Sequence, residues 1–466
     1  MFGKRLVAER CSRWFLLLSL LFGVIFVFLI PPLKGFDEAS HFTAINHYTD
    51  SSSRYSAVTP GSIKPVDLEL ETARAIAAAH AAKEYDPSVY EYMMQHGGSS
   101  NERALTDMTS SVSYPSLSYA PALGGLALAK LVHMPLLWQM YVARLSGLLV
   151  YVVLCLVAIR FMPFAKWGVA LVALVPMMLF QATTVSADTL LNGLVILFAA
   201  LVFYLLAADP MKSRQFSGYA LTLLILGSLI TLCKPSYVII TLLLLLLPMR
   251  HFGNSLSKKN LVVAGMLALF VVLAALWNVH TQADVLRLAQ VYNQGSYVSS
   301  DAQIEGLLNH PHNFVTVAAA TLIVQGYMYF SSSLGAFNGS YTSLPFIVGI
   351  PLLAAIWLTV LADSDKASKV FALKRDRRIL ALVLLLQTIA IGAIFYVGYT
   401  PVGSNIIEGI QGRYFTVLLI LLLPLLAVKG IDGHRFKKMW VFPTVASVAL
   451  IWSAFEIAAI YGGFLG

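Results

Sequence analysis

The sequence predicts an all-α integral membrane protein with about eleven to thirteen transmembrane helices and a large first external loop carrying surface helices. Three observations predict it. Hydrophobic residues make up 58% of the 466 and charged residues only 12%, whereas soluble domains average about 45–50% apolar. Apolar runs of about 20 residues recur, the length that crosses a hydrocarbon core as a helix. Basic residues collect in short loops between those runs, as the positive-inside bias of a membrane protein requires.

The first run, 14–30, follows Lys4, Arg5, Arg10 and Arg13 and so has the look of a signal peptide. Pro31-Pro32-Leu33-Lys34 stands where a small-residue cleavage site would be, so the run reads as a permanent signal anchor. Further spans are predicted near 138–160, 166–182, 189–207, 217–233, 236–249, 261–279, 343–362, 379–398, 414–428 and 440–462. Two apolar stretches, 117–133 and 313–331, are ambiguous. If both cross, alternation places Lys212/Arg214 and Arg250/Lys258/Lys259 outside; if neither crosses fully, every basic loop falls inside. The second count predicts eleven crossings, a cytoplasmic N-terminus and an external C-terminus, and thirteen is the alternative.

The resulting organisation is a cytoplasmic 1–13, the first helix 14–30, an extracytoplasmic loop 31–134 and a bundle over 135–279. An extracytoplasmic segment, 280–342, and a C-terminal bundle, 343–466, complete it. Amphipathic helices are expected at 67–84 and near 301–309, and 97–103 is rich in Gly, Ser and Asn. Cys11, Cys155 and Cys233 lie in or beside apolar runs without metal spacing and read as packing residues. The net charge of +9 resides in the loops and leaves no cytosolic domain for a nucleic acid. No internal repeat of the kind common in transporters is visible. Trp138, Trp167 and Trp440 sit at span ends, where aromatic belts form.

Polar residues at helix ends on one side stand out, because ionisable groups at membrane depth are costly and default to function. They are Asp37, Glu38 and His41 after the first span, Asp188 before the fourth, Lys234 in Cys233-Lys234-Pro235 and Arg413 in Gln411-Gly412-Arg413-Tyr414. Carboxylates and cations gathered on one face suit a site that deprotonates a hydroxyl and receives an anionic leaving group. Plainer readings stand beside each: helix capping for Asp37 and Asp188, snorkelling for Lys234 and Arg413, and pairing with a carboxylate or a lipid phosphate for Arg144. Asp37-Glu38 offers oxygens to Mg²⁺ or Mn²⁺, and Asp-Glu-x-x-His would need His47 as a further ligand to hold zinc.

The segment 31–42, Pro-Pro-Leu-Lys-Gly-Phe-Asp-Glu-Ala-Ser-His-Phe, resembles the first-loop signature of the bacterial polytopic family DUF2142. Tyr114-Pro115-Ser116-Leu117, Ala143-Arg144-Leu145, Phe180-Gln181-Ala182 with Ser186-Ala187-Asp188, Lys234-Pro235, Leu334-Gly335-Ala336-Phe337 and Gly409-Ile410-Gln411-Gly412-Arg413-Tyr414 follow in the same order. That family is grouped with the GT-C glycosyltransferases. The resemblance therefore implies a multi-span helical enzyme that takes sugar from a polyprenyl-phosphate-linked donor, inverts it, and delivers it to an envelope glycan or glycolipid outside the inner membrane. It implies catalytic roles for Asp37, Glu38 and Asp188, phosphate binding by Lys234, Arg413 and Arg144, and substrate contacts from His41, Tyr114, Gln411 and Tyr414. Where relatives often carry Trp and an acid after Leu-Gly, this chain has Ala336-Phe337-Asn338, so no acid role transfers there. A lipid-linked-glycan flippase, a polysaccharide polymerase or ligase, and a non-enzymatic assembly partner are the competing readings.

Overall fold

Without water to satisfy them, the backbone groups of an apolar run in a bilayer must bond within the run, and so these runs become helices. The structure, a computed structural model, describes residues 2–56, 64–82, 85–97, 101–108, 111, 113–292, 297–337, 344–428 and 441–462. The loop 429–438, Trp440 and Asn338 lie outside the described residues. Helix α1 (Phe2–Leu29) leads into α2 (Glu38–Thr49), then strand β1 (Pro65–Glu69), α3 (Leu70–Ala81), α4 (Pro87–Gln95) and strand β2 (Arg103–Asp107). A 3₁₀ turn, Ser116–Tyr119, precedes α5 (Ala120–Leu131), followed by α6 (Leu136–Phe161), α7 (Lys166–Ala173), α8 (Pro176–Ala182), α9 (Ala187–Ala207) and α10 (Ser213–Cys233). A 3₁₀ segment, Pro235–Leu246, leads to α11 (Leu256–Tyr292), α12 (Ser300–Asn309), α13 (Pro311–Leu334), α14 (Phe346–Ala362), α15 (Ser364–Val370) and α16 (Lys374–Gly398). The chain closes with α17 (Arg413–Thr416), α18 (Leu419–Leu425) and α19 (Val441–Tyr461).

Among the described residues eight helices are long and apolar enough to cross a membrane, nine if the bent pair α14–α15 counts as one. The protein is an all-α, multi-pass membrane fold. Three expected spans are not single α-helices. Pro176 opens α8 after an extended Val175, which splits 166–182 into two short helices. Pro235 has the same effect after Lys234, and the next 12 residues wind as 3₁₀. The stretch 414–428 holds two short helices, the second with Pro424 inside it.

The two ambiguous stretches differ. Within 117–133 the α-helix has 12 residues, too few to span. It folds back along α6, where Gly125 lies so close that a Cβ there would stand 2.7 Å from the Val142 carbonyl. In 313–331, α13 is long enough to cross. Its beginning touches the end of α16, with Phe314 and Tyr396 rings 5.3 Å apart. At its other end Thr416 Oγ1 donates to the Ser333 carbonyl at 2.7 Å, beside the start of α17.

The extramembrane reading of 67–84 is also refined. Residues 65–69 alternate and pair antiparallel with β2, from Pro65 opposite Asp107 to Glu69 opposite Arg103, and the helix begins only at Leu70. Helix α11 has 37 residues, about 55 Å at 1.5 Å per residue, so it outruns the bilayer. Its far part reaches this subdomain: Trp277 donates to the Ser113 carbonyl at 2.8 Å and Asp284 pairs with Lys64 at 3.2 Å.

One buried pair ties the pieces together. Arg144 of α6 and Glu38 at the start of α2 are both fully buried. Arg144 donates Nε to Glu38 Oε1 at 2.7 Å and Nη2 to Oε2 at 2.5 Å. Its remaining N–H groups go to the carbonyls of Val27, Ile30 and Pro31, at and just beyond the end of α1. Glu38 further accepts from the backbone N–H of Val185 and Gly35 at 2.8 and 2.9 Å. Removing one partner strands a charge in a dry interior. Arg144→Met should therefore cost about 3–5 kcal/mol, read as loss of folded protein in fluorescence-detected size exclusion; Glu38→Gln should do the same. Wild-type melting in both variants would refute this role.

Candidate functional site

Position 37 sits at the turn between α1 and α2 with a left-handed backbone, φ 56 and ψ 16, a conformation in which non-glycine residues are uncommon. It occupies the N-cap position of α2, yet its carboxylate makes no cap hydrogen bond. It accepts instead from Arg413 Nη2 at 2.9 Å, and about a third of its side chain remains exposed. Arg413 is buried, lies over the Phe36 ring at 4.6 Å, and its Nε has no hydrogen-bond partner among the described residues. Gly412 allows this approach, because a Cβ there would fall 2.3 Å from the Tyr329 carbonyl of α13.

A second acid–base pair lies alongside. Asp188, in the first turn of α9, accepts from Lys234 Nζ at 3.0 Å and from Gln181 Nε2 at 3.1 Å. The N-cap of α9 is Ser186 rather than Asp188. Lys234 does not snorkel: its ammonium is largely enclosed by the rings of Tyr414, Tyr237 and Tyr114, at 4.1, 5.7 and 5.8 Å. The Tyr414 ring also lies 5.5 Å from the Arg413 guanidinium, so one ring touches both cations. His41 completes the group, bonding Tyr119 Oη at 2.7 Å and packing its ring edge-on to Tyr114 at 5.6 Å.

Asp37, Asp188, Lys234, Arg413, His41, Tyr114 and Tyr414 thus assemble in one cluster at one end of the bundle. Gln411 joins them on a cavity of about 240 Å³ with Asp37, Arg413, Phe36, Met177 and Met328 on its wall. The Gln411 Oε1 is buried without a hydrogen-bond partner. Glu38 and Arg144 adjoin the cluster but differ in kind. Every donor of Arg144 and both oxygens of Glu38 are taken up inside the protein, which leaves Arg144 nothing to offer a phosphate and Glu38 no free oxygen for a proton. For the same reason Asp37-Glu38 is not a chelating pair for Mg²⁺ or Mn²⁺. His47 turns to Ser53 Oγ at 2.7 Å, away from a zinc set with His41. Among the described residues no three His, Cys, Asp or Glu side chains converge as metal ligands.

Gln181 was not foreseen as a site residue. It holds Asp188 and accepts from Asn192 Nδ2 at 3.0 Å. A glutamine and an asparagine inside fully buried helices were the available signal. Tyr237 and Lys34 carried none, since tyrosines and lysines at interfaces are ordinary.

Burial pushes the His41 imidazole down to about 4 against nearby Asp37, which pulls it up. It is therefore neutral in the folded protein near neutrality. Between pH 6.5 and about 4 the unfolded chain binds a proton that the folded chain refuses. Stability then falls by up to about 1.4 kcal/mol per pH unit as pH drops through that window, and this group has no effect above it. His41→Gln should flatten the decline in melting temperature between pH 7 and 5; equal slopes would show that another group is responsible.

No curated protein and no solved structure matches this chain. One family does: the model described as "Predicted membrane protein (DUF2142)" matches residues 20–423, from within α1 to α18 and therefore across every residue of the cluster. The chain belongs to the DUF2142 family of membrane proteins.

Proposed function

We propose that the protein is a GT-C-type glycosyltransferase of the cell membrane, with its site on the extracytoplasmic side. In this reading it moves a sugar from a polyprenyl-phosphate donor to an envelope glycan or glycolipid. A single observation carries the reading: the part-exposed Asp37 carboxylate and the buried Arg413 guanidinium paired with it line the same cavity, at one end of the bundle. The other wall of that cavity, with Met177, Met328 and Phe36, suits the first units of a lipid chain.

In the resting protein Arg413 pairs with Asp37. A donor phosphate competes for the guanidinium, which holds phosphate through two parallel N–H groups, and the Asp37 carboxylate is released towards the acceptor. It takes the proton of the acceptor hydroxyl as that oxygen bonds to the sugar C1 from the face opposite the phosphate. The C1–O bond to phosphate breaks, its electron pair stays on the phosphate oxygen, and polyprenyl phosphate leaves. The configuration at C1 is inverted. Arg413 meets the growing negative charge where it develops. Lys234, enclosed by its tyrosines and Asp188, adds positive field and fixes the Tyr414 ring beneath Arg413. Glu38 and Arg144 act as positioning residues by setting the turn that carries Asp37.

Asp37→Asn should lower transfer by about 10²–10⁴ with the protein still folded and inserted, measured with radiolabelled polyprenyl-monophosphate sugars in proteoliposomes. Arg413→Gln should raise the donor KM and lower kcat, with Arg413→Lys intermediate. Transfer at the wild-type rate by Asp37→Asn would end the assignment.

A further inference from the structure

Asp37 lies on the wall of two cavities. Besides the 240 Å³ cavity that holds Arg413, a groove of about 670 Å³ opens between α2, α3 and β2. Lys34, Gly35 and Asp37 line both, so the turn after α1 is a partition with the carboxylate set in it. The left-handed backbone at Asp37 makes this possible. A helical or extended residue there would not bring α2 back across the end of α1 in so few residues. Such strain persists where the surroundings over-determine it, here through Glu38 and Arg144 one residue on.

The two walls differ in chemistry. The groove is lined by Ser40 and Thr106 and by the small side chains Ala39, Ala73 and Ala77, while the Thr43 hydroxyl turns to the Ala39 carbonyl. Ala73 and Ala77 are four apart on α3 and share a face. Only Leu33, Ile76 and Leu105 are large and apolar, too few for an acyl chain. Glu38 is sealed by Arg144, which leaves the carboxylates of Asp37 and Asp107 against the ammonium of Lys34, and Lys34 Nζ is already bonded to the Ala82 carbonyl. An anionic ligand gains nothing in such a groove. Its volume lies within the range of about 300–1,000 Å³ usual for small-ligand sites.

We infer that this groove is the acceptor subsite and that it takes an uncharged polyhydroxyl chain, a neutral glycan end, presenting one hydroxyl to Asp37 from the side opposite the donor. The inference rests on the transferase reading and adds to it where the acceptor enters and what class it belongs to. Proton, C1–O bond and leaving phosphate are disposed as described above, with the groove supplying the hydroxyl.

The test uses the full chain in lipid nanodiscs, radiolabelled polyprenyl-monophosphate sugars as donors and neutral oligosaccharides of envelope origin as acceptors, beside the same oligosaccharides oxidised to uronates. Ala77→Trp fills the groove from an exposed position on α3; Ala77→Ser is its control, and melting curves check folding. The tryptophan variant should raise the acceptor KM about tenfold or more, the loss of about 1.4 kcal/mol of binding, and leave Asp37-dependent donor hydrolysis by water within about twofold. It should also abolish saturation-transfer NMR signals from the neutral oligosaccharides, and the uronates should be poorer acceptors than their parents. An unchanged acceptor KM, a preference for uronates, or Asp37-dependent hydrolysis without neutral-oligosaccharide binding to the wild type would overturn the acceptor assignment alone. If the wild type neither hydrolyses nor transfers from any donor, the transferase reading fails, and the acceptor assignment with it.

Discussion

The fully buried pair of Arg144 and Glu38 is the interaction on which the rest depends. Two opposite charges in a medium of low dielectric attract strongly but must first lose their water. The cost is offset here because no polar atom in the pair is left over: five N–H groups and two carboxylate oxygens all find partners. Those partners are the last carbonyls of α1, the backbone before α2 and the N–H of Val185 between α8 and α9. One guanidinium therefore registers the first helix, the left-handed turn at Asp37 and the loop that leads into Asp188. Hydrophobic packing alone is non-directional and would not specify that register.

The Asp37–Arg413 and Asp188–Lys234 pairs use the same chemistry to a different end. The first keeps a face open, while in the second both Asp188 oxygens are taken up by Lys234 and Gln181. Asp37 is part-exposed and Arg413 has a donor without a partner among the described residues, whereas the Glu38–Arg144 pair is sealed. The gradient from sealed to open runs along a single short segment, 37–38, and separates a group that holds position from one able to exchange partners. Tyr414 couples these two pairs by touching both cations with one ring. A change at Lys234 is thereby felt at Arg413 without contact between them. Tyr461, at the end of α19, bonds the carbonyls of Lys34 and Phe337, so a helix beyond the family-matched residues also braces the partition.

Much of this could be read from the chain. The apolar runs announced a helical membrane fold; of the two stretches the basic loops argued against, 117–133 holds a helix too short to span, while α13 over 313–331 is long and apolar enough to cross. The acids after the first span and the distant cations stood out because charge at membrane depth is expensive. What could not be read was how each charge is spent. Nothing in the spacing of Glu38 and Asp37 says that one is sealed by Arg144 and the other left open to a cavity, since adjacent residues with like side chains carry the same local signal. The strand 65–69 was hidden inside an apolar alternation that a helix pattern overlapped. The 3₁₀ run after Pro235 is set by its neighbours, since Leu-rich sequence favours an α-helix by propensity.

The sequence by itself determined the solvent of this protein, because hydropathy acts locally and adds along the chain. It also determined the residue types available for chemistry. Only the tertiary structure decided that residues 37, 188, 234 and 413 meet, which of them remain open, and that Asp37 divides two cavities. Those outcomes depend on contacts between segments hundreds of residues apart, where the register set by one buried guanidinium outweighs any preference of the local chain.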